Sequence, residues 1–283
     1  MKEYRFILAG YTRRSNKGVH ILNISLDKPE IDGLNSKDTI GSGPGKREET
    51  PYMSLVDSDV RDHSRQLLNI EGPSYMALDA DKLFVLSSGD EGGVKAYNFD
   101  RKREVLRPIG GVDMLGKAPC HLYFDRDKSL IYASNYHLGR LDILLLNEDG
   151  LSLAGSICLE GRGPISPNQD GPRCHMAIKD PSDRFTLVVN LGGDRVETYY
   201  IDTEGYDLVS SYHTRPGMGP RHMVFGPGGR YAYLMGELDS TVEVLAYDSA
   251  KGILKSISRV SSLPEGSESF TGNSGAAIKA VSY

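Results

Sequence analysis

Apolar residues recur along this chain in short runs that alternate with polar positions or stop at turn residues, and this pattern predicts strands. Leu130-Ile131-Tyr132-Ala133-Ser134-Asn135 and Val196-Glu197-Thr198-Tyr199-Tyr200-Ile201 are β-rich runs of strand length. No stretch keeps apolar residues at i, i+3, i+4 and i+7 over three turns, so long helices are not expected and the chain reads as all-β. The 32 glycines and 14 prolines agree, because they supply the frequent turns that short strands need.

The strands recur as units. Pro73-Ser74-Tyr75-Met76, Pro119-Cys120-His121-Leu122, Pro172-Arg173-Cys174-His175 and Pro220-Arg221-His222-Met223 open successive units spaced 46, 53 and 48 residues apart. After Pro119 a strand starting at His121 reaches a polar turn at Arg126-Asp127-Lys128-Ser129, and a second strand runs to Asn135. A third follows Gly139 and a fourth follows Asn147-Glu148-Asp149-Gly150. Four short antiparallel strands at this period are the sequence form of a β-propeller blade, whose faces are covered by neighbouring blades. A sandwich of hairpins fits less well, because it does not demand the same turn chemistry at a fixed period.

Residues 1–283 are therefore expected to form a single propeller domain. Counting from Phe6 to Ala9 gives five four-stranded units; a sixth begins near Ala276 and stops in its first strand. The expectation is an arc with an unsealed channel, lacking the end of blade six and blade seven. Its end faces would leave Ile7, Leu22, Val244 and Leu245 without a neighbour. Residues 28–72, with the charged stretch Gly41 to Glu49, read as a long polar loop. The meander also places function: the Pro-led segments and the loops after Asn135, Asn190 and Gly236 share the upper face around the channel.

Charge and cysteine usage narrow the function classes. Lys plus Arg number 33 against 38 Asp plus Glu, a net charge of −5 that offers no basic excess for nucleic acid or an anionic membrane. Runs such as Ile143 to Leu146 fall far short of the roughly 20 apolar residues of a membrane helix, and Met1 to Arg5 lacks a signal peptide's apolar segment, so a cytoplasmic location is expected. Cys120, Cys158 and Cys174, without a Cys-x-x-Cys, argue against a disulfide framework or zinc knuckle and read as inert core residues.

The motifs resemble those of the seven-bladed β-propeller 6-phosphogluconolactonases, whose fold is shared with carboxymuconate-lactonising enzymes. The matching segments are Ala9-Gly10-Tyr11-Thr12 with Ser15 and Lys17-Gly18, Pro73-Ser74-Tyr75, Pro119-Cys120-His121 with Ala133-Ser134-Asn135-Tyr136, Asn190 to Val196, Gly219-Pro220-Arg221-His222, and Phe270-Thr271-Gly272-Asn273. They follow the family's order over nearly the whole chain. The sequence departs from the family at Arg173-Cys174-His175, where His-x-His is usual, and at Asn190, where Asp is frequent.

The resemblance implies a small-molecule phosphosugar lactone as partner, with no metal and no other cofactor. Opening a δ-lactone needs a base for water, donors for the oxyanion and an anchor for the substrate. His121, His175, Arg221 and Glu237 are the candidate catalytic residues; Arg173, His222, Asn135, Asn190 and Asp194 are candidates for substrate binding. Arg173 and Arg221, each directly after its unit's proline, stand at equivalent repeat positions and offer bidentate forks for phosphate, and the three histidines follow their prolines by two, three and two residues in consecutive units and read as equivalent. His20, His63, His137 and His213 stand at non-equivalent places and read as surface or packing residues. A three-histidine zinc site is the metal alternative. No Gly-x-Ser-x-Gly elbow is present, and Gly41 to Gly45 does not have the strand-to-helix context of a phosphate loop. A lactonising enzyme acting on a carboxymuconate-type dicarboxylate and a non-catalytic scaffold remain alternatives, since fold alone does not fix function.

Overall fold

The computed structural model describes residues 2–8, 18–26, 60–89, 91–113, 115–264 and 272–280. The described residues form one three-stranded and four four-stranded antiparallel sheets, as the all-β propeller reading requires. The first sheet holds β1 (Lys2–Leu8), β2 (Gly18–Leu26) and β3 (Val60–Asn69), and the second holds β4 (Met76–Asp79), β5 (Lys82–Ser87), β6 (Gly93–Asp100) and β7 (Val105–Asp113). The third contains β8 (His121–Asp125), β9 (Leu130–Asn135), β10 (Arg140–Asn147) and β11 (Gly150–Cys158). The fourth contains β12 (Cys174–Lys179), β13 (Thr186–Asn190), β14 (Arg195–Ile201) and β15 (Tyr206–His213), and the fifth β16 (Pro220–Phe225), β17 (Tyr231–Gly236), β18 (Thr241–Asp248) and β19 (Ile253–Ser261).

Every four-stranded sheet is a simple meander in chain order. Each carries a register shift between its third and fourth strands, at Ala96/Tyr97, Ile143/Leu144, Thr198/Tyr199 and Val244/Leu245. One extra residue at the same place strengthens the twist that lets the sheets pack radially.

The cores lie between sheets. Four apolar clusters fill the four successive interfaces; Leu187 and Val189 of the fourth sheet, for example, meet Met223 and Leu234 of the fifth. Burying such side chains fully contributes about 1.5–3 kcal/mol each, so the interfaces hold the sheets in series. Among the described residues the first and last sheets share no extended contact.

Three sequence expectations change. The first sheet has three described strands, not four. Its β3 lies beside the outer strand β7, so the three described strands are the outer three of a blade. Residues 28–59 of the expected loop lie outside the described residues, but Val60–Asn69 is the strand β3. Outermost strands face solvent, as β7 and β15 also do, so a polar composition there does not signal a loop. At the chain's far end, Leu245 is fully buried against the fourth sheet and Val244 is half-buried, because strand alternation sends them to opposite faces. Ile7 packs against the Leu83–Val85 cluster, while the side chain of Leu22 lies outside the described residues.

Candidate active site

The pairing register brings one residue per sheet to the same level at the channel mouth. The Tyr75 carbonyl accepts the Leu86 N–H, His121 stands opposite Ser134, Met176 opposite Val189, and His222 opposite Met235. One residue nearer the mouth are Ser74, Cys120, His175 and Arg221. His175 and Arg221 are each the extra residue of a register shift, between Cys174 and Met176 and between Pro220 and His222. A bulge of this kind re-aims the side chain it carries. Just beyond the ends of the second strands stand Ser88, Tyr136 and Glu237. All seven of these residues line one cavity of about 800 Å³.

This register replaces the equivalence read from proline offsets. Arg173 does not match Arg221, nor His175 His222; His175 occupies the level of Arg221. Met176 lies four residues after Pro172 whereas His222 lies two after Pro220, so alignment on the prolines is out by two, and the hydrogen-bond ladder sets the match.

The centre of the site is an Arg–Glu–His cluster. Arg221 Nε donates to Glu237 Oε2 at 2.7 Å, and His175 Nε2 lies 3.8 Å from the same oxygen. Glu237 is fixed by its own N–H, which donates to the Gly219 carbonyl at 2.8 Å. Tyr136 stands edge-on to His175 with centroids 5.7 Å apart, and His222 does so on another side at 5.3 Å. Burial, then the Arg221 charge, lowers the His175 pKa to about 3 and that of His222 to about 4. Both imidazoles are thus neutral at pH 7, and their burial opposes protonation. Burial pushes the Cys120 thiol up to about 12, so it fills space and donates to the His175 carbonyl at 3.4 Å rather than acting as a nucleophile.

Several expected site residues lie elsewhere. His121 is sealed beneath the mouth, packed on Tyr75 at 4.6 Å and His222 at 5.7 Å, and its buried Nδ1 meets no hydrogen-bond partner among the described residues. Arg173 lies outside the cavity wall, its Nη1 donating to the His137 carbonyl at 3.4 Å and its guanidinium over the Tyr136 ring. The three loop residues expected to bind sugar hydroxyls hold backbone instead. Asn135 Nδ2 donates to the Lys117 carbonyl (2.9 Å) while its Oδ1 accepts from the Leu138 N–H. Asn190 accepts from the N–H groups of Arg173 and Gly193 and donates to the Glu160 carbonyl. Asp194 accepts from the N–H groups of Gly217 (2.6 Å) and Gly219 (2.8 Å), ordering the loop that delivers Arg221.

The sequence reading missed other wall residues. His137, read as a surface or packing residue, lines the cavity, as do Lys117, Tyr136 and the two serines. Ser74 stood inside the repeat motif and Tyr136 directly follows Asn135, so the repeat position was their available signal. Of the cysteines only Cys174 is buried core; Cys158 is exposed and Cys120 lines the cavity. Among the described residues no group of three or more His, Cys, Asp or Glu is arranged to hold a metal ion, and no helix is long and apolar enough to cross a membrane.

A family model, "Lactonase, 7-bladed beta-propeller", matches residues 56–282. The chain belongs to the seven-bladed β-propeller lactonase family. An uncharacterized protein of Lactococcus lactis is 31% identical over 269 residues, spanning 94% of this chain and 69% of that protein. The 6-phosphogluconolactonase of Bacillus subtilis is 32% identical over 235 residues, 80% of this chain and 66% of the relative. The solved structure of the periplasmic gluconolactonase PpgL of Pseudomonas aeruginosa superposes with a TM-score of 0.76 at 22% identity, covering 97% of this chain and 71% of that one. That last likeness is one of fold. The lactonase family gives the Arg–Glu–His cluster a chemistry to be judged against.

Proposed function

We propose that this chain hydrolyses 6-phospho-D-glucono-1,5-lactone to 6-phosphogluconate, a cytoplasmic step of the oxidative pentose phosphate pathway. The observation that carries the reading is the Arg221–Glu237–His175 cluster at the wall of an open cavity in a lactonase fold. Relatives named 6-phosphogluconolactonase at 30–32% identity support the substrate.

Neutral His175 takes a proton from water as the oxygen attacks the lactone carbonyl carbon, with Glu237 steadying the imidazolium that forms. Arg221 presents its remaining N–H groups to the oxyanion; its charge is already oriented by Glu237 and needs no reorganisation. Collapse breaks the bond from the carbonyl carbon to the ring oxygen, which leaves with the proton from His175. His222 completes the wall beneath the reacting ring.

Purified protein assayed on 6-phosphogluconolactone, unphosphorylated gluconolactone and a muconolactone tests the reading. The expected result is hydrolysis with the highest kcat/KM on the phosphorylated lactone. Turnover of the muconolactone alone would support a dicarboxylate enzyme, and no turnover a scaffold.

The depressed histidine pKa values make a second prediction. Because His175 stays neutral down to about pH 3, kcat/KM should show no histidine inflection between about pH 5 and 7.5; an inflection near 6.5 would show that burial does not hold the reacting imidazole neutral. Stability should nonetheless fall over part of this range. The unfolded chain protonates its histidines below about pH 6.5 while the native imidazoles of His175 and His222 stay neutral to about 3 and 4. Unfolded chains therefore bind more protons in that window, and Tm drops as pH falls through it.

A further inference from the structure

The cavity is chemically lopsided. At the fifth sheet the two mouth positions carry Arg221 and Glu237, which bond to each other. At the second sheet the same two positions carry Ser74 and Ser88, and Lys117 reaches the cavity from the connection into β8. Neither serine hydroxyl nor the Lys117 ammonium has a side-chain partner among the described residues.

We propose that Ser74, Ser88 and Lys117 form the subsite that holds the phosphate of the substrate and sets the preference for phosphorylated lactones. The inference rests on the lactone reading above and names the part of the cavity that reads the far end of the sugar. Among the cavity-lining residues the cationic side chains are Lys117 and Arg221. Arg221 is neutralised by Glu237, so a phosphate placed there would sit beside a carboxylate. At the serine end Lys117 meets no carboxylate among the described residues, and two hydroxyls can turn to donate to phosphate oxygens. With the reacting carbonyl at His175, this arrangement orients the sugar lengthwise across the mouth.

The subsite is held in place by backbone. The Lys117 carbonyl accepts the buried Asn135 amide, and the Leu115 N–H donates to the Gly92 carbonyl at 3.3 Å. Gly92 has φ +67°, and a Cβ there would lie 2.4 Å from the Lys117 carbonyl carbon, so the two loops touch backbone to backbone. Ser88 Oγ lies against Gly72, where a Cβ would overlap it. Asn135 is thus a positioning residue for Lys117.

The test compares wild type with Lys117→Ala and Lys117→Arg, by calorimetry with 6-phosphogluconate, gluconate and inorganic phosphate, and by kinetics on phosphorylated and unphosphorylated gluconolactone. Losing one charge-assisted contact should weaken 6-phosphogluconate binding, and lower the phosphorylated-to-unphosphorylated ratio of kcat/KM, by about ten- to a hundredfold. Lys117→Arg should recover much of both. Binding of 6-phosphogluconate by Lys117→Ala within twofold of wild type, or equal wild-type affinity for gluconate and 6-phosphogluconate, overturns the subsite. Lys117-dependent phosphate binding in a protein that opens no lactone keeps the subsite and refutes the lactone reading.

Discussion

Arg221→Ala is expected to lower kcat/KM on 6-phosphogluconolactone by about 10²–10³-fold, the usual effect of removing one preorganised oxyanion donor. The loss should fall mainly on kcat, because the charge on the carbonyl oxygen develops only as water attacks. Folding should survive, since the guanidinium stands at the cavity wall and its main partner, Glu237, keeps its backbone tie to Gly219. Arg221→Lys keeps the charge but not the fork that donates Nε to Glu237 while offering further N–H groups to substrate, so it should recover only part of the rate. Steady-state kinetics beside a thermal melt decides the matter: kcat/KM within threefold of wild type at unchanged Tm would remove Arg221 from the chemistry.

Asn190→Ala is expected to be among the most destabilising single changes near the site. The side chain is fully buried and satisfies three backbone groups, the N–H of Arg173, the N–H of Gly193 and the carbonyl of Glu160. Each buried group left without a partner costs roughly 1–3 kcal/mol, so a loss of about 3–5 kcal/mol is expected. Asn190→Asp should also destabilise, because it turns the amide donor facing the Glu160 carbonyl into an acceptor. Denaturant unfolding measures the effect. Activity should fall with it, since the held loop leads directly into His175. A raised KM at wild-type stability would instead return Asn190 to the role of a sugar contact.

The two residues show where sequence reasoning stops. Arg221 was legible as an arginine inside a repeated Pro-led motif at the channel mouth, but Arg173 carried the same signal and lies outside the cavity wall. Asn190 was legible as a polar loop residue of the same face, but not as a clamp. An amide carries both donors and acceptors, and which partners it meets depends on loops from Glu160 and Arg173 that are distant in the chain. His121 illustrates the same limit in reverse, since its motif matches that of His222 while the Tyr75 ring closes over it from the preceding sheet.

The sequence by itself determined the all-β class, the four-strand unit, its period and the face that gathers the candidate site. Those follow from local alternation and turn residues, which act over a few positions and repeat. Only the tertiary structure decided which residues share a level at the mouth, because the extra residues His175 in β12 and Arg221 in β16 shift the ladder without changing the hydrophobic pattern. It also decided the pairing of Arg221 with Glu237, the sealing of His121 and the grouping of Ser74, Ser88 and Lys117 at the other end of the cavity. Those depend on how separate sheets meet around a common cavity, and packing between sheets is set by long-range burial that no short window of sequence contains.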